Sequence, residues 1–149
     1  MANATDTPVS ASPPATRSVL LYDGECGFCA GSVQFVLRHE PPAHRGRLAF
    51  APLQGAFGGR VRAQFPELIG VDSVVWYDPS IPAVRVRSAA ALAAVAHLGG
   101  VWSVAAALGR LVPRPLRDAV YALIARHRFE MAAPACLLPT PEERSRFLS

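Results

Sequence analysis

Two cysteines stand three positions apart near the start of the chain, in the sequence YDGECGFC. If Cys26 and Cys29 lie on the first turn of a helix, they share a face, and their sulfur atoms can alternate between two thiols and one disulfide. The amide N–H groups at a helix N-terminus favour a thiolate over a thiol. The spacing therefore predicts a redox pair. Cys26, at the open end, is the expected nucleophile, and Cys29, on the stripe that continues through Val33, is the shielded resolving thiol.

Asp23 lies three residues before Cys26 and has two interpretations that do not exclude each other. It can cap the helix or tighten the turn with Gly24, which is a common position for aspartate. It can also accept a proton and so help to deprotonate Cys29 during resolution. The carboxylates of Asp23 and Glu25 raise the pKa of a nearby thiol, so the redox potential does not follow from the sequence.

Metal and haem alternatives lack the ligands that they need. A structural zinc site takes four ligands, and the third thiol, Cys136, lies far along the chain. His39, His44 and His127 show no ligand spacing. A c-type haem attachment needs histidine directly after the second cysteine, where Ala30 stands. We therefore expect no metal and no cofactor besides the dithiol itself.

The hydrophobic pattern predicts a β-α-β-α-β-β-α order followed by further helices. Strands are expected at residues 19–22 and 47–51, helices at 26–39 and 58–65, and a hairpin from 72–77 and 83–87. One helix between the first two strands implies a parallel pair with a right-handed crossover. This is the order of a thioredoxin-like α/β fold with additional C-terminal helices.

The second half of the chain predicts helices. Residues 88–109 carry no formal charge and are long enough to raise the question of a membrane span. They are rich in alanine, however, and Gly99-Gly100 interrupts them, so two helices with a break are expected instead. Pro115 then opens another helix, and a short terminal helix follows Thr140. One face of the helix at Pro115 carries Leu116, Val120, Leu123 and Ile124.

Length and composition predict one domain. Residues 1–17 have neither a basic start nor an apolar run, so we expect a disordered tail before a single domain at 18–149. The 15 basic residues are all arginine and are scattered, which argues against nucleic-acid binding despite a net charge of +4. Three cysteines do not form a secreted disulfide framework, and a reducing, cytoplasmic location is expected.

The motif and its surroundings resemble the DCC family of predicted thiol-disulfide oxidoreductases, named for Asp-x-x-Cys-x-x-Cys. Besides YDGECGFC, the segments LAFAPLQ, DSVVWYD, LVPRPLRDAVYALIARHRF and CLLPTPEERSRFL resemble that family in the same order. The resemblance implies a thioredoxin-like fold and assigns Asp23, Cys26 and Cys29 as the motif residues.

Two positions differ from thioredoxin and bear on substrate docking. Gly27-Phe28 separates the cysteines, and Asp72-Ser73 stands where thioredoxins have a proline before the third strand. We expect Gly24, Gly27, Phe28 and Ser73 to contact substrate, although Ser73 can equally be a strand-start serine with no role.

These observations favour a thiol-disulfide oxidoreductase of the protein-disulfide reductase type. Its partners would be a protein or small-molecule disulfide and a reductant that the sequence does not identify; the oligomeric state is also open. The main alternative is a binding module in which the Cys-x-x-Cys packs or holds a metal and residues 111–129 dock a partner. A membrane-associated electron carrier, based on residues 88–109, is less favoured. Cys136 is either a buried apolar residue or a second resolving thiol.

Overall fold

A four-stranded mixed sheet forms the centre of the protein. The computed structural model describes residues 17–24, 27–71, 74–131 and 140–148. The strands are β1 (Ser18–Tyr22), β2 (Leu48–Pro52), β3 (Val75–Asp78) and β4 (Ala83–Val86). The sheet order is β2-β1-β3-β4, with β1 parallel to β2 and antiparallel to β3, and β3 antiparallel to β4.

Five α-helices connect and follow these strands. They are α1 (Gly27–His39), α2 (Ala56–Gln64), α3 (Arg87–His97), α4 (Val101–Arg110) and α5 (Arg114–Met131). The observed order confirms the prediction from the hydrophobic pattern. The mixed sheet with its parallel β1-α1-β2 unit gives a thioredoxin-like α/β fold.

The two faces of the sheet bury separate apolar clusters because successive strand residues point to opposite sides. Leu20 and Tyr22 of β1 pack with α1 and α3 on one face. Val19 and Leu21 pack with α2 on the other. Helices thus cover both faces, and α1 is held against the centre of the sheet.

Most predicted boundaries move by a few residues, as the start of α2 and the end of β4 show. Helix α2 begins at Ala56 instead of residue 58, and Gly58 packs directly on the preceding turn, where an added Cβ would lie 2.5 Å from the Leu53 carbonyl oxygen. Strand β4 ends at Val86 because Arg87 adopts a positive φ of 55° and starts α3.

The uncharged stretch forms two helices, as predicted. Gly99 and Gly100 have φ values of 72° and 55°, in the region that glycine tolerates best, and they separate α3 from α4. Across the described ranges, no helix combines the length and the hydropathy needed to cross a bilayer.

The apolar face of α5 does not enter the core formed by the described residues. Its side chains are exposed, with Leu116 at 57% and Leu123 at 55%. The neighbouring α4 also exposes apolar side chains, which are Val101, Val104 and Leu108.

The predicted short terminal helix is present as a 3-10 helix instead of an α-helix. Thr140 and Glu143 form the reciprocal cap expected from their spacing, with the Thr140 amide donating to Glu143 Oε2 at 3.0 Å. Only one 3-10 turn, Arg144–Arg146, follows. The chain then runs beside β2, where the Leu148 amide donates to the Phe50 carbonyl at 2.8 Å, and this pairing ends the helical conformation.

The predicted tail lies outside the described residues, except for Arg17. The single domain at 18–149 stays a prediction.

Candidate redox site

The ends of the two parallel strands bring together the turns that hold the candidate site. Strand β1 ends at Tyr22 and is followed by Asp23 and Gly24. The Leu53 amide, just after β2, donates to the Tyr22 carbonyl at 2.8 Å. The turn after β2 is therefore fixed beside the turn that carries Asp23.

Gln54 joins these turns through its side-chain amide. Its Nε2 donates to Asp23 Oδ1 at 2.7 Å, and its Oε1 accepts from the Gly24 amide at 3.1 Å. Asp23 is only 7% exposed, so its carboxylate is held in place away from bulk water. No local pattern marks Gln54 as a site residue, because its contact with Asp23 spans 31 positions.

Cys29 lies in the first turns of α1 and is 3% exposed. It packs in the same apolar cluster as Leu20, Tyr22 and Val33. This burial agrees with its predicted place on the inner stripe of the helix, while its chemical role stays a prediction.

Several predicted residues cannot be placed. Cys26, Ser73 and Cys136 lie outside the described residues. Gly27 and Phe28 form the beginning of α1. Their roles in binding or catalysis stay predictions.

A cavity of about 490 Å³ adjoins Cys29 between α1, α3 and α5. Its wall includes Leu20 of β1 and Val74, just before β3. Helix α5 packs against both α1 and α3, and this packing encloses the space. The cavity has no signal in the sequence, since it depends on how three helices that are distant along the chain pack together.

A buried ionic cluster lies at the opposite end of α1. Arg146 donates to both carboxylate oxygens of Glu40, at 2.7 and 2.8 Å, and His97 Nε2 lies 2.5 Å from Oε1. Burial raises the pKa of Glu40, but hydrogen bonds from His97 and Arg146, together with the charge of Arg146, outweigh it and hold that pKa below its ordinary value. This cluster fixes the far end of the helix that carries Cys29.

Within the described ranges, no three or more His, Cys, Asp or Glu side chains group as metal ligands. The candidate site on those ranges is thus a buried thiol, a buried carboxylate held by an amide, and an adjoining cavity.

Comparisons with known proteins identify the family of the chain. The sequence model of the DCC1-like thiol-disulfide oxidoreductase family matches residues 20–133. The chain is also similar to the uncharacterized protein YuxK of Bacillus subtilis (strain 168), with 35% identity over 134 residues, covering 87% of this chain and 93% of that protein. No solved structure matches. The chain belongs to the DCC1-like thiol-disulfide oxidoreductase family.

Proposed function

We propose that this protein reduces disulfides through a cycling pair formed by Cys26 and Cys29. The observation that carries the proposal is the position of Cys29, which is buried near the start of α1 and three residues after Cys26. A buried thiol cannot meet a large substrate first, but it can reach a neighbouring cysteine on the same helix face. Cys26 is therefore the entering nucleophile.

The reaction consists of two exchanges. The Cys26 thiolate attacks one sulfur of the substrate disulfide, and the other substrate sulfur leaves as a thiolate and takes a proton. Cys29 then loses its proton and attacks the Cys26 sulfur, which releases the second substrate thiol. The substrate gains two electrons, the protein gains the Cys26–Cys29 disulfide, and an external dithiol restores the reduced pair.

Asp23 is proposed to accept the proton of Cys29. Its carboxylate is nearly excluded from water and is oriented by Gln54, two features that suit a positioned base. Its hydrogen-bonded place in the turn supports the cap interpretation equally, so rate measurements must separate the two roles.

The remaining assignments follow from position. Gly24, Gly27, Phe28 and Ser73 are proposed to contact substrate around the cysteines. A reducing compartment such as the cytoplasm would keep both cysteines in the dithiol form. The functional unit is proposed to be the single domain at 18–149.

Trapping variants test the order of events. After brief exposure of the reduced protein to an excess of a disulfide, Cys29→Ser should hold a stable mixed disulfide on Cys26, because resolution is lost. Cys26→Ser should form no mixed disulfide in the same reaction time, because it lacks the nucleophile. Cys136→Ser is the matched control and should behave as wild type. Intact-mass analysis with peptide mapping reads the result, and a mixed disulfide on Cys29 or Cys136 in wild type would refute the order.

Asp23→Asn tests the carboxylate. We expect resolution by Cys29 to slow by roughly tenfold to 100-fold while the first attack by Cys26 changes less, because only the proton acceptor is lost. Stopped-flow measurement of both steps checks this. If the rates of both steps fell equally, or if neither fell, Asp23 would have only a structural role in the turn.

The binding-module alternative is separated by thiol titration with metal analysis. A redox pair cycles between two accessible thiols and none without bound zinc. A binding module would show the same number of titratable thiols after oxidant and reductant treatment, or would contain bound metal.

A further inference from the structure

The cavity beside Cys29 has the size and position of a ligand site. Its volume of about 490 Å³ falls in the range of small-molecule pockets, roughly 300–1,000 Å³. Cys29 forms part of its wall, so whatever fills the cavity lies next to the thiol that resolves the mixed disulfide.

The wall of the cavity is almost entirely apolar. Among the described residues that line it, Ser32 and Tyr121 contribute hydroxyl groups and none has a charged side chain. A charged group entering this space would lose its hydration with no opposite charge to compensate. The chemistry of the wall therefore selects an uncharged, apolar occupant.

The enclosing elements favour a small molecule over a peptide. Helices α1, α3 and α5 supply most of the wall, and the backbone groups inside a helix are already hydrogen-bonded. An extended peptide would bury its own amide groups here, and no described lining residue belongs to an edge strand that could pair with them. A compact hydrocarbon or aromatic group has no amide groups and therefore needs no hydrogen-bond partners in the cavity.

The entrance lies on the surface between α1 and α5. Phe35 and Ile124 both line the cavity and are 39% and 38% exposed. Gly31 also lines it, and a Cβ added there would meet no heavy atom within 4 Å. Gly31 thus borders open space at the cavity wall, and a larger side chain there would narrow the opening.

We propose that this cavity binds the apolar, uncharged body of a small-molecule disulfide, which the cysteine pair reduces. This substrate class rests on the proposed function. One substrate sulfur bonds to Cys26 as the other leaves as a thiol, and attack by Cys29 on Cys26 then frees the second thiol. The two electrons come from the dithiol of the protein.

Single-turnover reactions with two disulfides test the substrate class. Pre-reduced protein, freed of reductant, is mixed with benzyl 2-hydroxyethyl disulfide or with bis(2-hydroxyethyl) disulfide, and loss of protein thiols is followed. Each rate is divided by that of free dithiothreitol with the same disulfide. Burial of the aromatic group should give wild type a preference of roughly tenfold or more for the benzyl compound.

Matched variants connect the preference to the cavity. Gly31→Leu should lower the preference at least about fivefold by occupying the entrance. Gly59→Leu is its control, since Gly59 is also an exposed helical glycine with no heavy atom within 4 Å of an added Cβ, but lies on α2. Ile124→Glu should also lower the preference, whereas Leu116→Glu, elsewhere on α5, should retain it.

Binding of an unreactive probe separates the two proposals. Titration with 4-phenylbutan-1-ol, followed by NMR, should shift signals of cavity residues in wild type and Gly59→Leu, and much less in Gly31→Leu. Absence of this binding, equal normalised rates with the two disulfides, or an unchanged preference in both Gly31→Leu and Ile124→Glu would overturn the cavity as the substrate site. Binding of the probe without loss of thiols to either disulfide would instead overturn the proposed reductase activity and support the ligand chemistry of the cavity.

Discussion

At the scale of residues, the candidate site depends on contacts between parts of the chain that are distant in sequence. Asp23 and Gly24 follow β1, whereas Gln54 follows β2, and one side chain amide connects them. The parallel pairing of Tyr22 with Pro52 brings the two turns to the same edge of the sheet. The carboxylate of Asp23 is thus oriented by the fold as well as by its own turn.

Gln54→Leu should slow the reaction at the candidate site and lower the stability of the fold only slightly. The leucine keeps the approximate volume but removes both hydrogen bonds, so we expect a loss of about 1 kcal/mol in the free energy of unfolding. The rate of resolution by Cys29 should fall several-fold, since Asp23 loses its orientation. Urea unfolding and stopped-flow kinetics measure the two effects. Gln34→Leu, at an exposed position of α1, is the control; equal rate losses in both variants would exclude a specific role for Gln54.

Sequence reasoning could identify the groups that do chemistry but not those that orient them. Cys26, Cys29 and Asp23 share one local motif, and helical spacing is enough to relate them. Gln54 and the lining of the cavity depend on strand register and helix packing, which no local pattern encodes. The burial of Cys29 could be predicted from the sequence, because the apolar stripe of α1 continues through this position.

At the scale of elements, α2 packs closely against the turn that precedes it. Gly58 and Gly59 are adjacent in the same helix but have opposite surroundings. An added Cβ at Gly58 would lie 2.5 Å from the Leu53 carbonyl oxygen and 2.6 Å from that of Pro52. At Gly59 it would meet nothing within 4 Å. The backbone of α2 therefore touches the turn that carries Gln54, which a periodic pattern cannot reveal.

The two glycines give a matched pair of variants. Gly58→Ala should destabilise the protein by about 1–3 kcal/mol, because backbone atoms must move to admit the methyl group. Gly59→Ala should stabilise it by about 0.5–1 kcal/mol through helix propensity alone. Urea unfolding gives both values. If Gly58→Ala were as stable as Gly59→Ala, the close approach of α2 to this turn would be wrong.

At the scale of the whole molecule, a buried ionic cluster fastens the C-terminal segment to the sheet. Arg146 donates to Glu40 at the end of α1 and to the Leu48 carbonyl at the start of β2, at 3.0 Å. His97, at the end of α3, joins the same carboxylate. The capping pattern at Thr140 predicted a helix here, but pairing with β2 and this cluster determine the conformation instead.

The cluster predicts a dependence of stability on pH. The pKa of Glu40 in the folded protein lies below the ordinary value of 4.5, so its contribution is complete above that pH and is lost as the pH falls through the folded value. Glu40→Gln should cost about 3 kcal/mol near neutral pH, because Arg146 loses its buried partner. The difference from wild type should shrink progressively below about pH 4.5.

Urea unfolding at several pH values checks this expectation, with Glu67→Gln, at an exposed position, as control. A Glu40→Gln effect that stays constant as the pH falls, or that is matched by Glu67→Gln, would contradict the depressed pKa.

The central claim, that Cys26 and Cys29 form a reversible redox couple, is tested most directly by equilibrium titration of the full chain in buffers of graded thiol-disulfide potential. Peptide mapping by mass should show a single two-electron transition, in which the peptide containing both cysteines loses two hydrogens and regains them on reduction. No such loss at any potential, or a bond that pairs either cysteine with Cys136 instead, would contradict the account.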